Sequence, residues 1–168
     1  MKLIKIVVFI FISLLFIDSN QVQAQVYPIP GDIAARLLVK VIDFEKNISK
    51  KDITIYVQGA PDIAKALQKY VGQAGITEVL SGSSLPTTKP TIYFVSNAGY
   101  LADVIKYTRN NKVLSVSNYP AFVETGITLG FGVGEDKKVK ILLNVASSEE
   151  EGLEWKPAIM KVAQIVQQ

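Results

Sequence analysis

The chain contains no histidine and no cysteine among its 168 residues. The usual general base and the thiolate nucleophile are therefore missing, as are the commonest zinc, copper and haem ligands. Any chemistry would have to come from hydroxyls, amines and carboxylates. Ser83, Ser84 and Lys89 share one polar loop, but nothing in their spacing sets a hydroxyl against an amine. No nucleophile and base can be paired from the sequence, and no catalytic, cofactor-binding or metal-binding residue is expected.

Other residue groups invite a functional reading. Gly130, Gly132 and Gly134 superficially resemble a nucleotide loop. A phosphate cradle lies between a strand and a helix N-terminus, whereas these glycines alternate along a strand that another strand follows. Thin residues at a crowded sheet position explain them better. Glu149, Glu150 and Glu151 could attract a cation or a basic partner, but carboxylates in the first turn of a helix also complement its dipole. Asn47-Ile48-Ser49 matches a glycosylation sequon, a tripeptide common by chance. Aromatic side chains beside polar loop residues are enriched at binding surfaces, which singles out Tyr119, Phe122 and the only tryptophan, Trp155, next to Glu154. Phe122, between Ala121 and Val123, fits a plug at the core edge as well as a contact. Tyr119, Phe122, Glu154 and Trp155 are the expected partner-contacting residues.

The elements that must position these groups follow from periodicity. Val26 to Pro30 reads as an extended lead-in. Asp32 suits an N-cap, and Ile33, Ala34, Leu37, Leu38, Val41 and Ile42 give the next helix a broad apolar face. Asp52 to Gln58 is an alternating β-branched strand. Pro61 suits a first helical position, and a helix from Asp62 to Val71 follows, then a short strand, Ile76 to Leu80. After the polar loop Ser81 to Lys89, the pattern returns with a strand at Thr91 to Val95. A helix capped by Ser96 or Asn97 comes next, then a turn at Asn110-Asn111 and a strand at Val113 to Val116. Tyr119 to Glu124 reads as a loop or single helical turn. Ile127 to Val133 and Lys138 to Asn144 flank a hairpin turn at Gly134 to Lys137. An amphipathic helix is expected to close the chain, with the three glutamates in its first turn and Leu153, Ile159, Met160, Ala163 and Val166 buried; Pro157 marks a kink or restart within it. The expected fold class is α/β: a single-layer mixed sheet, parallel with a C-terminal antiparallel hairpin, flanked by helices.

The first residues address the product. Lys2 and Lys5 precede an apolar run, Ile6 to Ile17, and Val22-Gln23-Ala24 offers acceptable −3 and −1 residues to a signal peptidase. As a helix that run would cover about 18 Å, against roughly 30 Å of hydrocarbon. Residues 1–24 are thus read as a signal peptide and 25–168 as one exported domain. No lipid-modifiable cysteine follows, and no membrane insertion is expected after cleavage. The chain carries 18 Lys and Arg against 15 Asp and Glu, spread along its length, so no nucleic-acid stripe forms.

The C-terminal third carries Val113-Leu-Ser-Val-Ser-Asn118, Phe122-Val-Glu-Thr-Gly126-Ile127, Val139-Lys-Ile-Leu-Leu-Asn144, Ala146 to Leu153 and Ala158 to Val166. In these stretches it resembles the YfiR family of small exported α/β proteins. The earlier helix and strands fit in order and spacing. The chain departs from the family pattern at Thr125-Gly126, where a glycine pair is usual, and at Asp43-Phe44-Glu45. It also lacks the cysteines many members carry, so disulfide-based behaviour does not transfer. The resemblance implies a periplasmic protein that binds the periplasmic sensor domain of a membrane-bound diguanylate cyclase, lowering cyclic-di-GMP output and biofilm formation. A second copy of the chain, as a homodimer, is a further partner to consider. The alternative reading is a small-molecule receptor with its ligand beyond the strand ends, near Gly59, Ser96-Asn97 and Ser117-Asn118.

Overall fold

The computed structural model describes residues 26–166. The expected signal peptide, 1–24, lies outside the described residues. Eight strands form one sheet: β1 (Val26–Pro28), β2 (Ile53–Gln58), β3 (Ile76–Gly82), β4 (Ile92–Val95), β5 (Leu114–Ser117), β6 (Leu129–Gly134), β7 (Val139–Asn144) and β8 (Ala163–Val166). Their order is β3-β2-β4-β5-β6-β7-β8, with β1 pairing β6. β2 to β6 are parallel, β6 and β7 form the antiparallel hairpin, and β8 returns parallel to β7. The α/β reading with a mixed sheet and a C-terminal hairpin holds.

Five helices flank the sheet: α1 (Gly31–Val41), α2 (Pro61–Gln68), α3 (Leu101–Asn111), α4 (Pro120–Thr125) and α5 (Val145–Glu150). Alternation along the strands assigns side chains to two faces. Ile92 and Phe94 of β4, Leu114 and Val116 of β5, and Leu129 and Phe131 of β6 join the larger core, together with buried residues of α1 and α2. Tyr93 and Val95 point the other way, into a smaller core with Tyr56, Val104, Val113 and Ile127, against which α3 packs Leu101 and Ile105. α1 contributes Ala34, Ala35, Leu38 and Val41 at helical spacing to the first face. Pro61 occupies the first turn of α2, as expected.

The second face is sealed by two devices besides α3. The connection from β3 to β4 has no helix; it is a strap tied to the sheet. The Tyr56 hydroxyl donates to the Ser84 carbonyl (2.6 Å), and Gln58 Nε2 donates to the Ser83 carbonyl (3.1 Å). Farther along, α4 lies directly on the hairpin because the glycines there are bare. A Cβ on Gly130 would collide with the Val123 side chain, and one on Gly132 would meet Val26, Pro120 Cγ at 2.5 Å and the Tyr27 carbonyl at 2.8 Å. The crowding reading of these two glycines is thereby given its atoms.

The end of the chain differs from expectation. α5 stops after six residues, and Gly152 takes a φ of +72°, a conformation that ends a helix. Glu149 and Glu150 thus sit in the last turn of α5, with Glu151 as its C-cap, where the dipole disfavours negative charge. Pro157 starts a 3₁₀ turn (Pro157–Lys161), and the segment after it pairs in β8 with β7. Ile159 and Val166 are buried as expected, Leu153 and Ala163 are half-buried, but Met160 is 51% exposed. A parallel strand and an amphipathic helix both want regularly spaced apolar residues; the glycine and the proline decide between them. Smaller differences follow from local backbone chemistry. α1 begins at Gly31 behind Pro30, placing Asp32 in its first turn, and α2 ends at Gln68. α3 runs through Asn110-Asn111 to a left-handed Lys112 (φ 55°), and Asn97, not Ser96, caps the turn before it by accepting the Gly99 amide (2.8 Å).

Gly132→Ala should destabilise the fold by roughly 1–3 kcal/mol through overpacking against Pro120 and the β1 backbone. Urea denaturation reads this as a lower midpoint at unchanged slope; an unchanged midpoint would contradict the crowding.

Candidate functional site

The winding of the chain reverses between β2 and β4, so the crevice beyond their carboxyl ends is where an open α/β sheet offers a ligand site. Here the polar groups at that end are engaged with one another. Ser96 Oγ donates to Asn118 Oδ1 (2.6 Å), Asn118 Nδ2 donates to the Ile29 carbonyl (3.0 Å), and the Tyr119 amide donates to Ser117 Oγ (3.0 Å). Gly59 (φ +75°) lies so near the neighbouring turn that a Cβ would be 3.0 Å from Asn97 Cβ. A cavity of about 220 Å³ beside it is lined by Val57, Gly59, Ala60, Pro61, Ser81 and Gly82, none of them charged.

The four expected contact residues fall into two pairs. Tyr119 precedes α4 and Phe122 lies within it. Their rings stack at 5.3 Å between centroids, with 20° between planes. Tyr119 is 39% exposed, while Phe122 is half-buried against the smaller core. Glu154 and Trp155 belong to the segment after α5. Trp155 packs on the larger core, and its indole N–H donates to Ser148 Oγ (2.6 Å). The exposed Glu154 carboxylate pairs with Lys46. The pairs therefore sit against opposite faces of the sheet. Ser83 and Ser84 hold the strap through their carbonyls, and among the described residues no hydrogen bond joins either to Lys89.

Two buried carboxylates escaped the sequence reading. Glu45, just after a 3₁₀ turn at Ile42–Phe44, accepts the Glu154 amide on Oε1 (2.9 Å) and the Ile48 amide on Oε2. Backbone bonds Lys46 N–H to Glu154 carbonyl (2.8 Å) and Lys156 N–H to Phe44 carbonyl (2.7 Å) flank it. Glu45 thus staples the Glu154–Trp155 segment to the end of α1. Lys50 Nζ donates to the carbonyls of Ile42 (2.6 Å) and Glu45 (2.9 Å), closing the same corner. Glu151, 1% exposed, fills the gap where β5 and β6 splay apart: its Oε2 accepts the Ser115 amide (3.0 Å), and Ser115 Oγ accepts the Thr128 amide (2.8 Å). Burial pushes its carboxyl above the ordinary glutamate range, partly offset by the hydrogen bonding of Ser115. The signal for this cluster was Ser115, a polar residue on a strand whose neighbours Leu114 and Val116 are core. The third buried polar group is a tyrosine ladder. Tyr93 sits edge-on to Tyr56 (5.3 Å) and Tyr107 (5.6 Å), and its hydroxyl donates to Gln58 Oε1 (2.6 Å). Burial raises the Tyr93 phenol, with Tyr56, Tyr107 and Asp103 adding to the effect.

These polar groups do structural work: each serves a backbone amide, a carbonyl or a neighbouring side chain. Among the described residues no cluster of three or more metal-ligating side chains occurs, and no helix is long and apolar enough to cross a membrane. Glu45→Ala should cost about 1–3 kcal/mol, since it orphans two amides, and Glu45→Gln, which keeps one acceptor, should cost less. Equal melting temperatures for all three proteins would contradict the staple.

Known structures share the fold. A conserved domain protein from Vibrio cholerae O1 biovar El Tor superposes with a TM-score of 0.58 at 13% identity, over 83% of this chain and 60% of that one. The ABC domain of a Streptococcus pneumoniae protein, in complex with L-Trp, superposes at 0.54 and 16% identity, over 82% of this chain and 60% of that one. The chain thus spans less than two thirds of either. No curated protein sequence matches it. The YfiR/HmsC-like family model matches residues 32–164, from the first turn of α1 into β8. That match takes in part or all of every helix described and of every strand but β1, and the chain belongs to the YfiR/HmsC-like family.

Proposed function

We propose that residues 25–168 form a periplasmic regulatory module that binds the extracytoplasmic part of a membrane signalling protein, such as a diguanylate cyclase, and restrains it. Family membership, which fits a periplasmic regulatory role, carries this reading. The inward engagement of the polar groups supports recognition over reaction. Such a module restrains its partner only by binding the inactive arrangement more tightly, and each tenfold preference is worth about 1.4 kcal/mol.

The Tyr119–Phe122 stack is our leading contact. Phe122 anchors the pair in the core, so Tyr119 presents an aromatic face whose conformational freedom is already spent, which lowers the cost of ordering on binding. Trp155 and Glu154 form a second contact on the other face, held by the Glu45 staple. The closed polar groups near Gly59 and Asn118 weigh against a small-molecule receptor.

Affinity capture from envelope membranes with the mature protein should recover a membrane protein bearing an extracytoplasmic sensor domain. Tyr119→Ala should reduce that recovery about tenfold or more, in line with a binding hot spot, while leaving the melting temperature within a degree or so. Recovery of envelope housekeeping proteins alone would count against the module, and full recovery by Tyr119→Ala would count against the stack.

A further inference from the structure

Glu151 is an ionisable group sealed inside the protein and spent on no proposed contact. It caps α5 through its amide, which donates to the Ser147 carbonyl (2.9 Å), and sends its carboxyl between α3 and the splayed strands β5 and β6. Its Oε1 and the Thr128 hydroxyl are both buried without a hydrogen-bond partner. The charged groups around it are Arg109 on α3 and Lys112 just past its end, Glu150 on the helix that Glu151 caps, and Lys89 and Asp52 across a cleft of about 280 Å³. None of them neutralises it. Arg109 Nε pairs with Glu150 Oε2 (2.5 Å), and Lys112 Nζ donates to the Glu150 carbonyl (2.7 Å). Immediately after Glu151 come the left-handed Gly152 and then Leu153, Glu154 and Trp155.

We propose that Glu151 is a proton-operated latch: protonated, it stays sealed between α3 and the β5–β6 gap; ionised, it strains outward and loosens the Gly152–Trp155 segment. A neutral carboxyl brings its own O–H to a pocket in which the Thr128 hydroxyl is unpartnered. An anion there has the Ser115 amide on one oxygen, no hydrogen bond on the other and no cation in contact. The inference goes beyond the partner-binding reading and stands without it.

The sign follows from burial. A carboxyl raised on folding contributes stability that is complete below its unfolded value and is lost as pH rises through the folded one. Glu151→Gln should therefore melt at a temperature that gains on the unsubstituted protein as pH rises. The sole tryptophan, four residues on and bonded to Ser148, is a built-in reporter. Trp155 emission of the unsubstituted protein should show a single-proton transition with its midpoint above the ordinary glutamate range. That transition should persist in Glu150→Gln and vanish in Glu151→Gln, leaving the acid-form signal throughout. Persistence in Glu151→Gln, or its loss in Glu150→Gln, would overturn the latch. Should Glu151→Gln not fold, carboxyl 13C NMR of the unsubstituted protein reads the group directly: a side-chain midpoint at or below the ordinary range overturns the proposal, and one above it supports it.

Discussion

A parallel sheet must bury both faces, and the helices among the described residues do not close both by themselves. α1 and α2 seal one face. On the other, α3 covers β4 and β5, and the rest is closed by substitutes. A strap tied by Tyr56 and Gln58 crosses the face, a six-residue helix rests on bare glycines, and a glutamate plugs the gap between β5 and β6. The polar character of the second face follows from these choices, since each substitute brings backbone groups or hydroxyls that need partners.

The same economy keeps the interior polar groups occupied with the fold itself. Tyr93, Gln58, Ser115, Glu151 and Glu45 would be promising as an isolated inventory. In place, Tyr93, Gln58, Ser115 and Glu45 meet partners within the fold, as does one carboxylate oxygen of Glu151. What the surface offers is a stacked aromatic pair on one side and a stapled segment with a tryptophan on the other.

Much of the fold was legible in the residues because its signals are local. β2 and β4 are β-branched and aromatic runs, Pro61 opens a helix, and Gly134 to Lys137 turns a hairpin. The closing segment was not legible as a strand, because β8 exists only by pairing with β7, and Ile159, Ala163 and Val166 recur at intervals a helix also satisfies. The buried glutamates were invisible for a related reason. Glu45 is satisfied by an amide 109 positions away, and which of three consecutive glutamates turns inward depends on where Gly152 ends the helix.

The claim that matters most is that this domain recognises a membrane protein through the α4 side. Photo-crosslinking in living cells, with a photoreactive phenylalanine in place of Tyr119, tests it most directly. The account predicts one dominant adduct, to a membrane protein with an extracytoplasmic domain, and none from the same residue placed at Lys65 on α2. Equal adducts from the two positions, or none from Tyr119 to any membrane protein, would contradict it.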